Sequence, residues 1–204
     1  MNRRAMTSTF KSLAVAFAAT CTFALSACGG GVSESPPLEG ATIGGDFTLT
    51  GKDGKPVKWA DFDGKYRIVY FGYTFCPDVC PIDMQNIGLG VRQFEKAHPD
   101  LAGKVVPIFI TIDPQRDTPE VVGAFAANFG PNVIGLTGTE KQIADVAKKW
   151  AVFYAKRDGG TPDAYLMDHS RGVFLMGPKG EPIALLPVDK DAKAVAADLA
   201  KWVH

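Results

Sequence analysis

The 204-residue sequence predicts an α/β sandwich, with a central mixed sheet flanked by helices and an added N-terminal hairpin. Three observations predict it. Short continuous apolar runs at 68–71 and 105–112 read as strands covered on both faces. Segments whose apolar residues recur at helical spacing alternate with them. A hairpin signal stands near each end of the domain, GKDGK at 51–55 and GPKGE at 177–181.

Each element follows in order. Residues 46–50 and 57–59 flank the first turn, where Asp53-Gly54 supplies the reversal. After the run at 68–71, Met84, Ile87, Val91 and Phe94 mark one face of a helix that ends near His98-Pro99. The run at 105–112 contains Pro107, which has no N–H to give a ladder. Thr118-Pro119 opens the next helix, an N-cap threonine with proline at the first helical position. A short strand is expected at 132–136. Thr139 and Gln142 then form a capping box ahead of a helix with Ile143, Val146, Ala147 and Trp150 on one face. A strand at 151–155, a hairpin of 172–176 with 182–186, and a closing helix marked by Val195, Leu199 and Trp202 complete the pattern. This order is that of a thioredoxin-like fold. Cys76 and Cys80 fall between a buried strand and a helix, where that fold places its chemistry.

Composition excludes some functions. Hydrophobic residues make up 46% and charged residues 22%, as in an ordinary globular chain. The formal net charge of +0 supplies no basic field for a nucleic-acid partner. Arg3, Arg4 and Lys11 nevertheless precede a charge-free stretch from 12 to 27 that ends Leu25-Ser26-Ala27-Cys28. That stretch is short for a spanning helix, which needs roughly 20 apolar residues. Its end resembles the lipobox of bacterial lipoproteins, in which the cysteine is lipidated. An ordinary signal peptide or an uncleaved anchor is the alternative. We therefore expect a lipoprotein signal peptide at 1–27, a Gly/Ser/Pro-rich flexible tether at 28–45 starting from a lipidated Cys28, and one domain at 46–204. The chain would be a membrane-anchored lipoprotein on the extracytoplasmic, periplasmic side.

Export changes the reading of the cysteines. Cys76 and Cys80 would be the only unlipidated thiols of the mature protein, in an oxidising compartment where a free pair does chemistry or binds metal. They lie at a strand-to-helix junction, where the helix dipole favours thiolate. Of the histidines, His98 at a helix end and His204 at the terminus suit capping and surface roles. His169, in Tyr165-Leu166-Met167-Asp168-His169-Ser170, lies ahead of a predicted strand where a loop would approach the cysteines. Two thiolates and one imidazole suit copper, as Cu(I) or Cu(II). Zinc stays open, with Asp168 or Asp78 completing four ligands. Asp113, Arg116 and Asp117 of TIDPQRDTPE suit turn and capping duties, and an Arg116 contact with a carboxylate near the site stays open.

FGYTFCPDVCP at 71–81, TIDPQRDTPE at 111–120 and YLMDHSRGVFLMGPKG at 165–180 together resemble the Sco/SenC family of copper proteins. The resemblance covers roughly residues 40–203. It implies a thioredoxin-like fold and one copper per chain, with the metal on Cys76, Cys80 and His169. It also places Asp168 beside the histidine as a residue that orients or tunes the imidazole. The implied role is copper delivery to the copper-receiving subunit of cytochrome c oxidase during assembly of its binuclear copper A centre. An upstream copper donor or thiol reductant would be a further partner. Many members carry a transmembrane helix where this chain offers a lipobox. The alternative function is a thiol–disulfide oxidoreductase that uses a Cys76–Cys80 disulfide to reduce the oxidase cysteines and does not need His169. A peroxidase of the same fold would need one activated thiol with supporting residues, and none stands out.

Overall fold

The computed structural model describes residues 34–157, 161 and 164–204. The expectations for the leader at 1–27 and for Cys28 lie outside these residues. Among the described residues no helix is long and apolar enough to cross a membrane.

The first strands, β1 (Thr48–Thr50) and β2 (Pro56–Lys58), pair antiparallel around the expected turn. Gly54 takes φ +75°, a region that costs glycine nothing. The hairpin is tied to the body by reciprocal bonds between Thr50 and Thr137, at 2.7 and 2.9 Å. The chain is held against the domain before residue 46. Leu38 N–H donates to Ile183 C=O at 3.0 Å and Gly44 N–H to Lys149 C=O at 3.1 Å, so the packed unit begins at Pro36 rather than where the tether was expected to end.

The main sheet has five strands in the order β5-β4-β3-β8-β9. Central β3 (Tyr66–Gly72) is buried at every position, as its unbroken apolar run requires. It pairs parallel with β4 (Val105–Thr111). Pairing of β4 with β5 (Ile134–Leu136) starts at Ile108, one residue past Pro107. The crossover between β3 and β4 is α1 (Val79–Ala97), whose Met84, Ile87, Val91 and Phe94 are buried as their spacing requires. It stops at His98, because Pro99 disfavours helical backbone in the residue before it. The His98 ring then rests on Phe94, centroids 5.1 Å apart.

Thr118 caps α2 (Pro119–Ala127), accepting from Val121 N–H at 3.3 Å. The Thr139–Gln142 box caps α3 (Glu140–Lys149). The strand expected at 151–155 is shifted to β6 (Tyr154–Lys156), because Ala151 is consumed in ending α3 with φ +51°. A further short strand, β7 (Met167–His169), pairs with β6 in a separate two-stranded sheet. The hairpin of β8 (Val173–Met176) and β9 (Pro182–Leu185) adds antiparallel to β3. Asp191 caps the closing α4 (Ala192–Trp202) through Ala194 N–H at 2.7 Å. α4 lies on α1 at Gly90, where a Cβ would come within 2.6 Å of Val195. The architecture is the expected thioredoxin-like α/β arrangement.

Candidate functional site

The site begins where β3 runs out. A turn after Tyr73, closed by Cys76 N–H donating to Tyr73 C=O at 3.2 Å, delivers the chain into α1. Val79, Cys80 and Pro81 form the first helical positions, where proline's missing N–H has no partner to lose. Cys80 therefore points back onto the sheet end and is fully buried. Its sulfur lies 3.0 Å from where a Cβ on Gly72 would stand, so only glycine lets it seat there. Cys76 stays half-exposed at the mouth, and both thiols are free.

Burial raises the Cys80 thiol to about 12, and the neighbouring Cys76 acts in the same direction. The thiolate expected from the helix dipole is not what the metal-free Cys80 presents. Desolvation of a fully buried sulfur outweighs a dipole effect of about 1 kcal/mol.

His169 ends β7, held by pairing with Tyr154. It therefore occupies a strand end rather than the loop expected. Its Nδ1 lies 2.9 Å from Ser170 C=O. A carbonyl only accepts, so Nδ1 carries a proton and donates it there, which leaves Nε2 for the cysteine side. Nε2 faces Cys80 Sγ at 3.5 Å. Tyr70 and Tyr73 present ring edges to the imidazole, with centroids 6.2 and 6.1 Å away. Burial raises both tyrosine hydroxyls, which keeps them neutral beside the sulfurs.

The cleft in front of these groups measures ≈ 280 Å³ and is lined by Tyr73, Cys76, Asp78, Asp168, His169 and Arg171 among others. Asp168, on the other side of β7 from His169, is engaged by Arg157 in an exposed ion pair. The group on the imidazole is the Ser170 carbonyl. Asp78 is exposed at the start of α1 with no capping bond from its side chain. Among the described residues no three His, Cys, Asp or Glu side chains stand preassembled around a metal position. Cys80 and His169 are at contact distance, and Cys76 stands beside them.

Two supports went unread in the sequence. Asp83, one turn after Cys80, is buried and accepts from Tyr70 Oη at 3.0 Å and from Arg171. Asp117 closes the expected turn, its N–H donating to Asp113 C=O at 3.0 Å, and its side chain is in addition a buried anchor. Its carboxylate accepts from Thr74 N–H at 3.0 Å and from the Thr74 and Thr111 hydroxyls, holding the loop ahead of Cys76. Burial raises Asp117 while these donors pull the other way. Arg116 binds Asp113 at 2.6 Å and the Tyr165 carbonyl at 2.9 Å, and it lies 3.6 Å over the Tyr165 ring. A carboxylate within three residues of a motif cysteine is the one local signal that could have found Asp83. Nothing local links it to an arginine 88 positions away.

Fold and site define a thioredoxin-like protein with a buried thiol, an accessible thiol and an oriented imidazole at one sheet end. The SCO1/SenC family model matches residues 35–204, and the chain belongs to that family. It is 40% identical over 173 residues to the mitochondrial SCO1 homolog 1 of Arabidopsis thaliana, covering 85% of this chain and 51% of that protein. The chain thus spans about half the length of that curated relative. Among solved structures, copper-bound ScoI of Bradyrhizobium japonicum matches with TM-score 0.71 and 35% identity, covering 79% of this chain and 99% of that one. Copper-bound ScoI of Arabidopsis thaliana matches with TM-score 0.71 and 36% identity, covering 78% and 96%. The thioredoxin domain of a Bacteroides vulgatus thiol-disulfide oxidoreductase, at TM-score 0.53 and 15% identity, shares the fold.

Proposed function

We propose that the protein is an extracytoplasmic copper metallochaperone that binds one copper through Cys76, Cys80 and His169 and passes it to the copper A subunit of cytochrome c oxidase. The observation that carries this reading is the orientation of His169. Nδ1 is committed to Ser170 C=O, and Nε2 faces Cys80 Sγ at 3.5 Å. A metal-binding histidine is held in the same way, with its second nitrogen bonded to a carbonyl or carboxylate. Two sulfurs and one imidazole suit Cu(I) and accommodate Cu(II). Copper-bound relatives of the same family support the choice of ion. Asp168 and Asp78 add negative charge at the mouth of the cleft. An anchor through Cys28 would hold the domain at the membrane that carries its target.

In transfer, a donor from the partner displaces His169 first. A neutral ligand on a three-residue strand releases more readily than two thiolates at a helix junction. Copper titration of the reduced full-length protein tests the reading. One equivalent bound by the wild type and held much more weakly by His169→Ala is expected, and unchanged affinity in the variant overturns it.

The unequal exposure of the two cysteines favours one second reading, a reductase of the oxidase cysteines. The Cys76 thiolate would attack a partner disulfide, forming a mixed disulfide and releasing one partner thiol. Cys80, losing its proton, would then attack Cys76 Sγ and release the second thiol, leaving Cys76–Cys80 oxidised and the partner reduced. His169→Ala supporting oxidase assembly at limiting copper, with either cysteine variant failing, would establish this reading over the first.

A further inference from the structure

The ion pair of Asp83 with Arg171 has no part in the function proposed above. Asp83 stands three residues past Cys80 on α1, and its side chain is wholly withdrawn from solvent, at 0% exposure. Arg171 stands two residues past His169, beyond the end of β7, and is 41% exposed. Its Nε donates to Asp83 Oδ2 at 2.8 Å and its Nη2 to Oδ1 at 2.6 Å. This is a fork geometry that a lysine cannot copy. Tyr70 Oη supplies a further bond to Oδ2 at 3.0 Å, and the same tyrosine lies edge-on to the His169 ring.

Each member of the ion pair is thus a short covalent step from one member of the Cys80–His169 contact. The β6–β7 ladder ties His169 to Tyr154, in a sheet separate from the one that seats Cys80. Asp83–Arg171 joins the helix of Cys80 directly to the segment of His169. Burying a carboxylate carries a desolvation cost, which the Arg171 fork and the Tyr70 hydroxyl offset here.

We propose that the Asp83–Arg171 pair is a clamp that holds His169 Nε2 against Cys80 Sγ, making both residues positioning residues for the copper site. The proposal rests on the copper reading above and adds to it what sets the geometry. Without the fork, the end of β7 is held by its own short sheet, by the bonds between Ser170 and Phe153, and by the pairing of β8 with β3 that begins at Val173, and none of these joins it to α1. The imidazole then spends less time within reach of a metal held by the sulfurs.

The test compares full-length, reduced wild type with Arg171→Gln, His169→Ala, their double variant and Arg171→Lys. Two quantities are read: the copper dissociation constant by chelator competition, and the histidine ring signals of the metal-free protein by nitrogen-15 NMR. Arg171→Gln is expected to weaken copper about 10–100-fold, the range found when groups supporting a metal ligand are removed. It is also expected to lose the ordered Nδ1–H signal of His169. The double variant should lie within about twofold of the weaker single, because the clamp acts through His169. Arg171→Lys, which keeps charge but loses the fork, should fall between Gln and wild type. Far-UV circular dichroism checks the fold. Asp83→Asn, which keeps the size and the Tyr70 bond, replaces Arg171→Gln should that variant fail to fold. Wild-type affinity with an unchanged His169 signal overturns the clamp, and so does a loss fully additive with His169→Ala. If the wild type binds no copper, the copper reading falls, and the His169 signal in Arg171→Gln alone decides the clamp.

Discussion

Cys80 and Cys76 are four residues apart and meet opposite environments. Cys80 is buried against Gly72 and Tyr70, and its proton is held up to about 12, whereas Cys76 stands at the mouth of the cleft. Iodoacetamide at pH 8 should therefore modify Cys80 more than about tenfold more slowly than Cys76 in the reduced, metal-free protein. Peptide mass spectrometry reads this, and equal rates would contradict the burial argument. The same shift has a pH sign. The unfolded chain gives up this proton near the ordinary thiol value of 9.0, and the folded chain holds it to about 12. Stability from Cys80 is therefore fully present below pH 9 and is lost as pH rises towards 12. A Cys80→Ala variant should lack that alkaline loss in a urea midpoint series. Gly72 is the matching constraint. A methyl there would stand 2.9 Å from Phe109 and 3.0 Å from Cys80 Sγ. Gly72→Ala should lower stability by about 1–3 kcal/mol and displace the sulfur from His169. Chemical denaturation and the Cys80 alkylation rate check both parts.

Among the elements, α3 ends in a way that its sequence does not advertise. Val152 N–H bonds Ala147 C=O at 2.8 Å and Ala151 N–H bonds Lys148 C=O at 3.2 Å. This is the six-to-one and five-to-two pair of a Schellman end, with alanine at the left-handed position that usually takes glycine. Ala151 adopts φ +51°, at a penalty of about 1–2 kcal/mol for an L residue. Ala151→Gly should raise stability by about 1 kcal/mol without touching the site, and an unchanged thermal midpoint would contradict this. The strand expected at 151–155 is displaced by this cap. β7 was not foreseen, because three residues with burial pattern intermediate-exposed-intermediate carry no usable alternation signal. The helices were legible. Thr118-Pro119, the Thr139–Gln142 box and the Met84–Phe94 stripe each state a local preference that the fold keeps.

Across the whole molecule, the site is a meeting of distant segments held by buried polar contacts. Asp117 links the loop before Cys76 to the end of β4 through Thr74 and Thr111. Asp117→Ala leaves buried donors without partners and should cost roughly 2–4 kcal/mol. It should also loosen the Thr74–Cys76 loop, read as faster amide hydrogen exchange there than in α4. Unchanged exchange would show that the loop is held by its own turn.

The sequence by itself determined the α/β order, the capped helices and the residue types at 76, 80 and 169, because caps, periodicity and motif spacing act over a few residues. Only the tertiary structure decided that Cys80 is buried with its proton held up, while Cys76 stands half-exposed at the mouth of the cleft. It alone turned Nε2 of His169 towards Cys80 and committed Nδ1 to Ser170. It alone paired Asp83 with Arg171. Burial and orientation depend on contacts between segments up to about ninety residues apart, and no local signal encodes which of them meet.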